Sequence, residues 1–91
     1  MTAVDEQAAR GAALLDERLP GWRGMVRAES LQLRWCSTCV LGQLFGDYER
    51  GVHALGLTDK EAREYGFYVT DGRKVTLWAR LTDAWRKVLA S

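Results

Sequence analysis

The chain has 91 residues, 47% of them apolar, with four tryptophans and a net charge of +1. That length and composition exclude a disordered polymer and leave room for one domain, which hides only somewhat over ~60% of its unfolded surface. Residues 37–71 carry three basic and six acidic groups and residues 72–91 five and one, and a pI near 7.8 lacks the basic footprint that would make nucleic acid an expected partner.

The opening MTAVDEQAA has neither the basic nor the apolar region of a secretory signal, and no apolar run reaches the ~20 residues of a membrane span. A cytoplasmic location with reduced thiols is the expectation. Asp5 to Arg18 places Ala8, Ala12, Leu15 and Leu19 on one helical face, with Thr2 or Asp5 as cap and Gly11 as a cost in propensity. Pro20 ends that helix. Leu19-Pro20-Gly21-Trp22 reads as a turn that folds Trp22 back onto it.

Arg23 to Arg34 mixes apolar and charged residues and predicts a short irregular connection. Its Arg23, Arg27 and Arg34 lie beside Trp22 and Trp35, an interleaving that suits base stacking, although such tryptophans belong more often to the core. From Ser37 to Leu57, Leu41, Leu44, Phe45, Tyr48, Val52 and Leu55 recur at steps of three and four and predict a central helix capped by Ser37 or Thr38. It either bends at Gly46 or divides at Gly46-Asp47, and Leu55-Gly56-Leu57 stops it. Thr58-Asp59-Lys60-Glu61 is a capping box opening a short helix that Gly66 stops before Phe67.

Phe67 to Thr70, Asp71-Gly72 and Arg73 to Thr76 then have the form of a β-hairpin, with Leu31-Gln32-Leu33 available as a third strand. Leu77 to Ala90 carries Leu77, Trp78, Leu81, Ala84, Trp85 and Val88 on one wide stripe and predicts the last helix.

Trp35-Cys36-Ser37-Thr38-Cys39 at a helix start suits a redox dithiol, because a helix N-terminus lowers a thiol pKa. The proline that such folds hold opposite the dithiol is missing downstream, since Pro20 is the only one. Cys36 and Cys39 also supply two ligands for zinc, where a structural site needs four. His53, the only histidine, falls off the apolar stripe, and a second copy of the chain would be the simplest source of further sulfur. The carboxylates Asp47, Glu49, Glu61 and Glu64 read as caps and exposed faces. No nucleophile with a nearby base is legible, so a non-enzymatic chain without a cofactor is the expectation.

Three stretches together carry a resemblance: Gly11-Ala12-Ala13-Leu14-Leu15-Asp16-Glu17 with Pro20-Gly21-Trp22; Cys39-Val40-Leu41-Gly42-Gln43-Leu44-Phe45-Gly46 with Asp47-Tyr48; and Leu81-Thr82-Asp83-Ala84-Trp85-Arg86. The set resembles a group of small uncharacterised proteins of actinobacteria and their phages, over nearly the whole chain, with CVLGQLFGDY its specific part. Thr70 to Val75 has no counterpart in that pattern, and Cys36 fits it less closely than Cys39. The resemblance implies a host setting and no reaction.

The expected fold is α+β and mostly helical: three to four helices around the central one, with one short β-hairpin, in a single compact domain over residues 1–91. Central and C-terminal helices should pack together through Leu44, Phe45, Trp78 and Trp85. The expected function is a protein-interaction module whose anchors are Trp22, Trp35 and Tyr68, since aromatic residues dominate such contacts. The alternative is a metal or dithiol protein using Cys36 and Cys39. A homodimer is compatible with either.

Overall fold

The computed structural model describes residues 3–69 and 75–90. Alanine-rich Ala3–Arg18 forms α1 and buries Ala8, Gly11, Ala12 and Leu15, spaced three and four apart along one face. Thr2 lies outside the described residues. Leu19 to Gly21 turns the chain into a 3₁₀ turn, Trp22–Met25, and a second such turn spans Ala28–Ser30. Trp22 does fold back: its indole N–H donates to Asp16 Oδ1 at 2.8 Å.

The central segment is divided. Val40–Phe45 forms α2 and Tyr48–Leu55 forms α3, separated at Gly46, whose φ of 101° no other residue adopts cheaply. Asp47 caps α3, accepting the Arg50 amide at 2.8 Å. Gly56 ends α3 in the left-handed region, and the Leu57 amide reaches back to the Val52 carbonyl at 3.0 Å. Thr58 and Glu61 close the expected capping box at the start of α4, Asp59–Glu64. Gly66 ends α4 in the same manner, with the Phe67 amide on the Ala62 carbonyl.

The β-hairpin does not form. No strand exists among the described residues, and the fold is helical where α+β was expected. Val75 and Thr76, expected in the second strand, make the first turn of α5, Val75–Ala90. A β-branched residue costs a helix only ~0.7 kcal/mol or less, far below what the continuing apolar stripe gains by burying Trp78, Leu81 and Trp85. Phe67 and Val69 are buried in an irregular link that belongs to no strand. The Asp71-Gly72 turn, with Thr70, Arg73 and Lys74, lies outside the described residues. Leu33 is no strand partner either: its amide donates to Thr82 Oγ1 at 3.2 Å.

Helix pairing also differs from expectation. The most extensive contacts join α1 to α5 and α2 to α3, so the C-terminal helix packs chiefly on the N-terminal one, where the central pair was expected. Trp85, fully buried, sits at that junction. Phe67 stacks on it at 5.5 Å, Trp22 meets it edge-on at 5.8 Å, and its indole N–H donates to the Gly66 carbonyl at 2.7 Å. Gly11 lies beneath: a Cβ there would meet the Trp85 ring at 2.7 Å and overlap the Tyr65 carbonyl oxygen. Leu44 and Phe45 stand half-buried at the edge of the core that was expected to centre on them.

Candidate functional site

The loop from Leu31 to Cys39 is held from three sides. Arg86 of α5 donates to the carbonyls of Ala28 and Leu31, both at 3.1 Å. Gln43 of α2 holds the Arg27 backbone twice, accepting its amide at 2.7 Å and donating to its carbonyl at 3.3 Å, and donates to the Thr38 carbonyl at 3.1 Å as well. Within the loop, the amides of Thr38 and Cys39 both return to the Trp35 carbonyl. Trp35 therefore stands on a fixed turn. Trp35 is 57% exposed, with the Arg34 guanidinium 5.2 Å over its ring.

Cys36 is exposed and Cys39 is buried. The Cys39 sulfur caps α2, accepting the Gly42 amide at 3.2 Å, while its S–H points to the Cys36 carbonyl at 3.6 Å. Burial pushes the Cys39 thiol up from its ordinary range, and the neighbouring Cys36 adds to the effect. Among the described residues no group of three or more histidines, cysteines and acids could hold a metal ion. His53 is exposed on α3.

Next to this loop, α3, α4 and the Phe67–Val69 link enclose a cleft of about 310 Å³ lined by Cys36, Tyr48, Glu49, Asp59, Arg63 and Tyr68. The Tyr68 ring is held between Trp78, edge-on at 4.9 Å, and Tyr48, tilted at 5.4 Å. The Arg63 guanidinium lies 5.8 Å over the Tyr68 ring. Asp59 and Arg63 share one face of α4 because they are four residues apart. Tyr48 is half-buried, and that burial pushes its hydroxyl up to about 12, with Asp59 and Tyr68 adding to the effect. It is a neutral phenol at physiological pH.

The three expected aromatic anchors thus separate. Trp22 is 0% exposed and packs inside the core, so it presents no surface to a partner: its apolar bulk wins over its place in an arginine-flanked stretch. Tyr68 is half-buried and forms a wall of the cleft. Trp35 alone of the three is broadly exposed. Reading the sequence missed the cleft. The apolar spacing predicts Tyr48 on a buried helical stripe, and it stands half-buried in the cleft wall; Glu49 is exposed as expected and lines the same cleft. Only the four-residue spacing of Asp59 and Arg63 could have been read locally, whereas the meeting of Tyr48 with Tyr68 is tertiary.

Of the basic groups near the C-terminus, Arg86 serves the fold through the carbonyls of Ala28 and Leu31, and Arg73 and Lys74 lie outside the described residues. No helix among the described residues is long and apolar enough to cross a membrane. Comparison of the chain with protein families, with curated proteins and with solved structures finds no match.

Proposed function

We propose that this chain is a non-enzymatic protein-interaction module that acts in the cytoplasm and holds a host or self protein through its exposed aromatic surface, with Trp35 as anchor. The observation that supports this reading is the Trp35 turn: a tryptophan 57% exposed on a backbone fixed by Arg86, Gln43 and its own internal hydrogen bonds. Tryptophan is enriched among the residues that dominate binding energy, and an anchor already held in place loses little entropy on docking. Tyr68, on the wall of the adjoining cleft, takes the secondary place, and Trp22 has none.

The metal or dithiol alternative draws less support, because Cys39 has a structural task as the cap of α2. The actinobacterial setting implied by the CVLGQLFGDY run supplies the place to look. Affinity capture from an actinobacterial lysate, run with the parent chain, Trp35→Ala and the exposed control Arg80→Ala, tests the reading, with sedimentation of the same three proteins for self-association. A partner retained by the parent and the control and lost by Trp35→Ala is the expected result. Retention and self-association indifferent to Trp35→Ala would overturn it.

A further inference from the structure

We infer that the cleft between α3 and α4 is a seat for a basic side chain, lysine or arginine, presented by a protein partner; this rests on the interaction reading above and adds the partner's chemistry to it. The charge of the walls comes first. Glu49 and Asp59 face the cleft with Arg63, and among the described residues none of the three forms an ion pair with another, although Asp59 and Arg63 have the spacing for one. Tyr48 holds its proton, and two carboxylates stand against one guanidinium, so the lining is net negative.

The ring face comes second. Arg63 turns its guanidinium over Tyr68 and forgoes Asp59, so the chain itself shows that a cation settles on that ring. Trp78 and Tyr48 pack against Tyr68 and hold its ring in place at the cleft wall. An aromatic face beside two carboxylates selects an organic cation over an anion or an apolar group. A volume of about 310 Å³ is the lower end of the range for ligand sites and suits one long side chain with its charged head.

Position supplies the third argument. Cys36 lines the cleft and the exposed Trp35 precedes it in the chain, so the proposed anchor and the acidic seat are one residue apart along the loop. A partner segment with an apolar residue beside a lysine or arginine meets both. In this arrangement Arg63 is the incumbent that an incoming cation displaces from Tyr68, and removing it should favour binding.

The test is an NMR titration of the whole chain with capped acetyl-Leu-Lys-amide, using acetyl-Leu-Gln-amide and acetyl-Leu-Glu-amide as neutral and anionic controls. The lysine peptide alone should shift the resonances of Tyr48, Glu49, Asp59, Arg63 and Tyr68, and the shifts should shrink with added salt. Glu49→Gln with Asp59→Asn should weaken binding about 3- to 10-fold, and Arg63→Gln should strengthen it about 2- to 5-fold, the range expected of exposed charge pairs. The dispersion of each variant's amide spectrum reports whether it folds, and Arg63→Gln stands as the second variant should the double one fail. An equal response to the glutamine peptide, or weaker binding in Arg63→Gln, would overturn the assignment. If partner capture depends on Trp35 while the lysine peptide leaves the cleft unmoved, the seat falls and the interaction reading stands.

Discussion

The sulfur of Cys39 accepts the amide of Gly42 at 3.2 Å. The second cysteine of the CxxC pair is therefore a helix cap, and the first, exposed three residues earlier, has no such task. A thiol reagent should label Cys36 rapidly in the native chain and Cys39 only when the fold opens, in two phases separable by mass spectrometry. Cys39→Ala should lose about 0.5 to 2 kcal/mol of stability for the missing cap, and Cys39→Ser, which restores an acceptor, should recover part of it. Labelling of both sulfurs at one rate would contradict the assignment.

Gly11 sets how closely α1 approaches Trp85. A methyl group there has no space, since it would meet the Trp85 ring at 2.7 Å and overlap the backbone oxygen of Tyr65. Although alanine is the better helix former, Gly11→Ala should destabilise the domain by ~1 to 3 kcal/mol, the usual cost of overpacking. Thermal melts of the two proteins decide it. A melting temperature raised by Gly11→Ala would show that propensity outweighs the contact.

Gly11 also marks where sequence reading ends. Taken alone it is a flaw in an alanine-rich helix, and its purpose appears only when a tryptophan 74 positions later lies against it. Signals completed within a few residues survived intact: the Thr58–Glu61 box, the stops at Gly56 and Gly66, and the fold-back of Trp22. The hairpin did not survive, because β-branching and a DG pair are weak local preferences and burial of the α5 stripe is worth more. The CVLGQLFGDY run is explained chiefly by architecture. Cys39 caps, Gly42 admits the Cys36–Ser37 backbone, Gln43 grips Arg27, Gly46 and Asp47 divide the helices, and only Tyr48 faces the cleft. That cleft was illegible because its walls come from segments remote in sequence.

Trp22 and Trp35 should respond oppositely to truncation. Trp22 is wholly buried, edge-on to Trp85 and bonded to Asp16, so Trp22→Ala should cost ~3 to 5 kcal/mol. Trp35→Ala, at an exposed ring, should stay within ~0.5 kcal/mol of the parent while removing the proposed anchor. Urea denaturation of both variants checks the pair. A large loss in Trp35→Ala would recast that residue as structural.

Tyr48 carries a pH dependence whose sign follows from its surroundings. Burial, then the charge of Asp59, raises its hydroxyl to about 12 from an ordinary 10.0, so the folded chain holds that proton more tightly than the unfolded chain does. Its contribution is complete below the unfolded value and is lost as pH climbs toward the folded one. Stability should accordingly fall between about 10 and about 12 more steeply in the parent than in Tyr48→Phe, which has no phenol to titrate. Urea midpoints of both proteins at neutral pH and at two points inside that window measure the difference. Phenolate absorbance gives an independent reading, with one of the three tyrosines ionising late in the parent and that step missing from Tyr48→Phe. Parallel stability curves for the two proteins would place the Tyr48 hydroxyl in water and remove the neutral phenol from the cleft wall.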